Sequence, residues 1–351
     1  MLSWLPGFEG FITFEANTVS ALELGLIFGG HGAGGVYLTF RILDFPDLTV
    51  DGSFTTGGGA VAGILIVHGV NPWVATLLAL VAGLAAGTIT GLLHTVGKIN
   101  PLLAGILTQI ALYSINLRIM GKANLPMLRE VTIFDPMRNL GLLGTWASVL
   151  VLAVVAALFT ALIVWLLGTN FGLALRATGD NEPMARSQGV ATNRMKVIGL
   201  ALSNGLVAVC GATMAQYQGF ADIGMGIGLI VAGLASVILG QALLGRRSVV
   251  IAATAVVVGS VVYRAVLQAA LSLEIPVINF KFEANDMKLI SAVLVILALL
   301  LPRWTPDPSD AVAPPGEARG TGPGRAARRG RGKAVPCWSS LTSARSSSRT
   351  R

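Results

Sequence analysis

Few side chains here could carry covalent or redox chemistry, and their spacing disposes of most of them. His31, His68 and His94 are isolated from one another, and no H-E-x-x-H or G-x-S-x-G pattern occurs. Glu23 is nearly alone as a carboxylate within an apolar stretch, so no nucleophile, base or metal set assembles. A lone histidine at the end of an apolar segment reads as a helix contact rather than a ligand. Gly30-His31-Gly32-Ala33-Gly34-Gly35 fits G-x-G-x-x-G, but no strand precedes it and it lies within an apolar segment. Gly91 to Gly97-Lys98-Ile99 resembles a phosphate-binding loop with the spacing one residue too long, and Ile99 stands where a hydroxyl would hold magnesium. Cys210 and Cys337 are too few for a disulfide framework or a metal cluster. The expectation is no catalytic site, no metal and no nucleotide bound by this chain.

What remains is polar residues set among apolar ones. Gln109, Tyr113 and Asn116 fall at i, i+4 and i+7, on one helical face, and Asn204 and Gln218 are fourteen residues apart. Such a face can line a polar path or bond a neighbouring helix, and the two readings weigh about equally. Asp44, Asp47 and Asp51 would suit an amine by charge, yet capping of the helix that follows is favoured. Arg264 must face the bundle, water or a head group, and its place near a segment end allows snorkelling.

The elements that must position these residues are membrane helices. The 351 residues are 54% hydrophobic and 12% charged with mean hydropathy +0.73, whereas a soluble domain carries about 25% charge. Crossing about 30 Å of hydrocarbon takes about 20 apolar residues in helical form. Candidate spans lie near 18–40, 54–70, 73–93, 102–119, 145–168, 197–216, 226–245, 249–271 and 287–301. The expected fold is an all-α, polytopic transmembrane helix bundle of roughly 8–10 spans, some broken or re-entrant. Gly83, Gly87 and Gly91, four apart, suit close helix packing, while Gly29 to Gly35 should weaken the first helix. No cleavable leader is visible, so the first helix is expected to stay.

Charge divides the chain at about residue 301. Up to Leu301 the net charge is +1, and from Pro302 onward it is +7 in a Pro, Gly, Arg and Ser-rich stretch. Residues 1–301 therefore read as the membrane domain and 302–351 as a disordered basic tail, most simply a solvated appendage that could touch lipid head groups. The tail's arginines favour a cytoplasmic carboxyl terminus, which places Thr169 to Lys196 and Arg246-Arg247 on the same side. The loop from Lys122 to Arg138 then falls outside.

The loop at 169–196 is long for a tightly turned bundle. Its run Gly172-Leu-Ala-Leu-Arg176-Ala177-Thr-Gly179-Asp180-Asn181-Glu-Pro-Met-Ala185-Arg-Ser-Gln-Gly189 reads as two short helices broken at Gly179, with Asp180 or Asn181 as a cap and Gly189 as a stop. It resembles the cytoplasmic coupling loop of ABC importer permeases of the branched-chain amino acid and ribose superfamily. Arg176, Ala177, Gly179, Asn181, Ala185 and Gly189 match that pattern. The blocks Asp44 to Phe54, Ile99 to Leu107 and Tyr113 to Gly121 resemble a subgroup of tryptophan or aromatic amino acid permeases, and the likeness runs from about Leu22 to Arg303.

The resemblance implies a multi-pass permease subunit of the bacterial inner membrane, working by alternating access for a small solute, an aromatic or branched-chain amino acid first. Coupling would fall to Gly172, Arg176, Ala177, Gly179, Asp180, Asn181, Ala185 and Gly189, and the path to Gln109, Tyr113, Asn116, Asn204 and Gln218. Implied partners are an ABC ATPase subunit holding ATP and magnesium, an extracytoplasmic substrate-binding protein, a second permease copy or paralogue and membrane lipid, with no nucleic acid. A stand-alone secondary transporter or channel is the alternative, since such proteins also use Gly-rich broken helices. A membrane enzyme would need a His or acidic cluster at one depth, which the sequence lacks.

Overall fold

A computed structural model describes residues 8–245, 248–272, 274–275, 280–281 and 289–296. The helices in chain order are α1 (Phe8–Ile27), α2 (Gly34–Tyr37), α3 (Thr49–Thr55), α4 (Ile64–Val67), α5 (Pro72–Thr95), α6 (Pro101–Met120), α7 (Asp135–Asn139), α8 (Trp146–Gly168), α9 (Asn170–Asp180), α10 (Glu182–Ser187), α11 (Thr192–Gln218), α12 (Leu229–Leu244) and α13 (Val249–Ser272). Two antiparallel pairs of short strands accompany them, β1 (Asn124–Pro126) with β2 (Phe220–Asp222) and β3 (Glu274–Ile275) with β4 (Phe280–Lys281). The architecture is an all-α polytopic bundle. Among the described residues, six helical runs are long and apolar enough to cross a membrane: Thr49–Val67, Pro72–Thr95, Pro101–Met120, Trp146–Gly168, Thr192–Gln218 and Val249–Ala269. Leu229–Leu244 is apolar but shorter, and most of the span expected at 287–301, like the whole tail from 302, lies outside the described residues.

Asparagine and proline start two of these helices. Asn71 accepts the amide of Trp73 at 2.9 Å with Pro72 behind it, and Asn100 accepts that of Leu102 at 3.0 Å with Pro101 behind it. Gly121 at φ +69° and Gly219 at φ +76° end α6 and α11, a conformation other residues adopt at a cost.

Close helix packing follows the small residues. α11 is the buried centre, and α5 lies along it through Gly83, Gly87 and Gly91, where an added Cβ would meet the backbone of Asn204, Leu200 and Val197. Gly57 and Gly211 seat the α3 run on α11 in the same way, and Gly240 and Gly259 seat α12 on α13.

The Gly-rich first span corrects the expectation of a weakened helix. Phe28–Ala33 continues α1 as a buried π-helical segment, and Leu38–Ile42 continues α2 likewise. A Cβ on Gly30 would stand 2.9 Å from Ala156 Cα, and one on Gly35 would stand 2.8 Å from the Ser203 carbonyl oxygen, whose hydroxyl donates to the Gly35 carbonyl at 2.7 Å. Tertiary packing against α8 and α11 thus overrides the poor propensity of glycine.

Candidate functional site

α6 places Gln109, Tyr113 and Asn116 around a single cavity of about 230 Å³, as their spacing predicts. The opposite wall comes from α3 and the segment after β2, with Asp51, Thr55 and Ile227. Asn116 is fully buried; its amide donates to the Gly52 carbonyl at 3.3 Å, while its Oδ1 has no partner among the described residues. A buried acceptor without a donor is costly. It is the fully buried part of this face left for something else to satisfy.

Asp51 is a wall residue that spacing alone did not assign to the path. Its carboxylate accepts the backbone amides of Gly228 at 3.1 Å and Ile230 at 3.0 Å, capping α12 across the bundle. Asp47 accepts the amide of Thr49 at 2.9 Å at the start of α3, so capping describes both acids better than amine binding. Asp44 is exposed at φ +51°, where the chain turns after the first span.

Asn204 and Gln218 do not join the cavity. Asn204 donates to Asp47 Oδ2 at 2.6 Å and to the Leu200 carbonyl at 3.0 Å, and accepts the Ser53 hydroxyl at 2.7 Å. Both amide N–H groups and the amide oxygen are bonded inside the chain, which makes it a helix-joining node. Gln218, the last residue of α11, is exposed at the bundle end that carries β1 and β2. Helical spacing found the α6 face but could not tell a closed polar node from an open one.

The long loop folds as two helices, with the break at Asn181 rather than Gly179. Thr169 accepts the amide of Gly172 at 3.3 Å to start α9, and Asn181 accepts that of Met184 at 3.0 Å to start α10. Gly189 at φ +85° ends the unit. Gly179 faces inward, and a Cβ there would collide with the Ile42 carbonyl and reach 3.0 Å from Leu43 Cα. Gly172 is packed on the end of α8 against Leu167, and Leu175 and Ala185 are buried. The exposed candidates are Ala177, Asp180, Asn181 and Gly189, with Arg176 half-buried.

Glu182 fixes α10 to α11, bonding Lys196 at 2.7 Å and Arg186 at 2.8 Å. The Lys196 hydrogen bond, more than the nearby charges, holds the Glu182 carboxyl below the usual carboxylate range against a smaller opposing effect of burial. Lys196 also lies 3.4 Å from His94 Nε2.

The remaining polar residues serve the bundle. Glu23 accepts the Gly144 amide at 3.0 Å and the hydroxyls of Ser148 and Tyr217. His31, His68 and His94 each use Nδ1 on a backbone carbonyl, of Ile27, Ile64 and Ile99. No group of three potential metal ligands forms among the described residues. Arg264 does not snorkel: its guanidinium sits 5.6 Å from the Phe28 ring centroid, with Nε buried.

Known proteins share much of this sequence. A family model described as the permease component of branched-chain amino acid transport systems matches residues 30–300. The tyrosine transport system permease protein of Clostridioides difficile (strain R20291) is 40% identical over 265 residues, 76% of this chain and 84% of that protein. An uncharacterized protein of Rickettsia prowazekii (strain Madrid E) is 35% identical over 59% of this chain and 71% of its own length. The autoinducer 2 import system permease protein LsrC of Escherichia coli O9:H4 (strain HS) is 31% identical over 72% of each. The chain therefore belongs to the family of permease components of branched-chain amino acid transport systems.

Proposed function

We propose that this chain is the membrane subunit of an ATP-driven importer of a small solute, an amino acid, with an aromatic or branched-chain amino acid as the leading candidate. The observation that carries the reading is the α6 cavity, where a buried, unpartnered Asn116 acceptor lies beside Gln109 and Tyr113. An α-ammonium group would supply the missing donor, and the cavity's apolar wall would accept a side chain. The tyrosine permease relative supports the solute class. The chain itself binds no cofactor; ATP and magnesium belong to a separate ATPase, and an extracytoplasmic binding protein delivers the solute. A second permease copy or paralogue completes the path.

In this reading α9 and α10 form the cytoplasmic lever, docking on the ATPase through the exposed Ala177, Asp180, Asn181 and Gly189, and the basic tail lies on the same side. Gly179 seats the lever on Ile42 and Leu43, and the chain then runs through Asp47 into α3, which carries Asp51 and Thr55 to the cavity wall. Rigid movement of α9 thus has a short covalent and packed route to the site. Co-purification with neighbouring ATPase and binding-protein candidates, followed by uptake in proteoliposomes, tests it. ATP-dependent uptake is expected, and Gly179→Trp is expected to abolish it while membrane insertion persists. Uptake driven by an ion gradient without any ATPase would instead establish a secondary transporter.

A further inference from the structure

A second cavity, of about 250 Å³, opens at the bundle end that carries α9. Its wall holds Tyr37 and Arg41 from the end of the first span, Arg176 and Asp180 from α9, Gln241 from the last turn of α12, and Ser248 just before α13. The ion pairs among the described residues are Arg138 with Asp135 and Arg186 and Lys196 with Glu182, so neither Arg41 nor Arg176 has a carboxylate within ion-pair distance. Asp180 is the one acid on the wall, against two arginines. Gln241 is 5% exposed, and its buried Nε2 has no partner. The Ser248 oxygen accepts the Ile251 amide at 3.2 Å, leaving its proton to donate. Two guanidinium groups, an orphaned amide and a hydroxyl around one space are an excess of donors over the single carboxylate of Asp180.

We infer that this cavity binds the phosphate of an anionic phospholipid head group. A tetrahedral, multiply accepting anion meets what the wall lacks, since arginine forks suit phosphate and the buried amide requires an acceptor. The cavity lies level with the start of the apolar run Val249–Ala269, the depth of head groups rather than of bulk water. Leu243, Leu244 and Val250 beside it are exposed and apolar, a surface for acyl chains. A bound phosphate would tie α9 to the ends of α12 and α13. The inference is independent of the transported solute.

The test uses the full chain, delipidated in detergent, with thermal unfolding followed by tryptophan fluorescence against dihexanoyl phosphatidylglycerol, dihexanoyl phosphatidylcholine and inorganic phosphate. Phosphatidylglycerol is expected to raise the unfolding temperature saturably while phosphatidylcholine does not. Gln241→Leu, which removes an unsatisfied amide and should fold, is expected to weaken the phosphatidylglycerol response about tenfold, since hydrogen bonds to charged groups are strong. Arg41→Gln, at an exposed position, is expected to do the same. An equal response to phosphatidylcholine, or Gln241→Leu binding like the parent protein, would overturn the site. Inorganic phosphate matching phosphatidylglycerol would overturn the lipid assignment in favour of a free anion.

Discussion

Asn204 and Asn116 are both fully buried asparagines that bond the α3 run, and they have opposite fates. Asn204 bonds Asp47 and Leu200 through its amide nitrogen and Ser53 through its oxygen, while Asn116 bonds Gly52 through its nitrogen and leaves Oδ1 unmet on a cavity wall. A polar group packed between helices must be met by the protein, whereas one on a cavity wall is left for water or a ligand to meet, so the closed node serves packing and the open one is where the proposed solute would bind. The same residue type at two positions thus has a closed hydrogen-bond account in one place and an open one in the other.

The largest expected effect comes from breaking the closed node. Asn204→Leu removes the donor from the buried Asp47 carboxylate and the acceptor from Ser53, and should destabilise the protein by about 3 kcal/mol. Thermal or denaturant unfolding in detergent reads this directly. Asn116→Leu gives up one long bond to the Gly52 carbonyl but also deletes an unsatisfied acceptor, so it should cost no more than about 1 kcal/mol. Equal stability losses in the two variants would erase the distinction.

The second effect is functional and runs the other way. Asn116→Leu should lower the uptake kcat/KM of the assembled transporter about tenfold, the scale of one lost hydrogen bond to a charged group. Tyr113→Phe, which keeps the ring on the cavity wall, should cost less than Asn116→Leu. Normal uptake by Asn116→Leu would remove the observation on which the proposed path rests.

These two residues also mark what the sequence could tell. Apolar run length revealed the helices, because a bilayer forces backbone groups to pair within a segment and so writes the fold into composition. Helical spacing brought Gln109, Tyr113 and Asn116 together on one helix, where geometry is local. Asn204 and Gln218 lie apart from that cavity; the partner of Asn204 is Asp47, 157 residues away, and no periodicity reports a contact between helices. Asp51 was read as a cap for its own helix, whereas it caps α12. Gly179 was expected at the loop break, and its packing on Ile42, which moves the break to Asn181, is a tertiary fact. Gly29 to Gly35 misled through propensity, since a buried π-helical segment uses glycine for close approach rather than flexibility.

The smallest effect sharpens the comparison by moving a similar contact to the surface. Glu182 meets Lys196 at 2.7 Å, about the distance at which Asp47 meets Asn204, but its side chain is 32% exposed. Water reaches the Glu182 carboxylate there although Lys196 is 15% exposed, so the pair should be worth about 1 kcal/mol at most. Because the folded protein holds Glu182 below its ordinary value of 4.5, the contribution is complete above that value and disappears as pH falls through the lower, folded one. Hydrogen exchange of the α10 amides should therefore stay constant from pH 7 to 5, after correction for the intrinsic rate, and protection should fall below about pH 4.5. Glu182→Gln should abolish that step, leaving α10 as loosely held at pH 7 as the parent protein is in acid. A step of unchanged size in Glu182→Gln would mean that another group joins α10 to α11, and that exposure does not separate weak polar contacts from strong ones in this bundle.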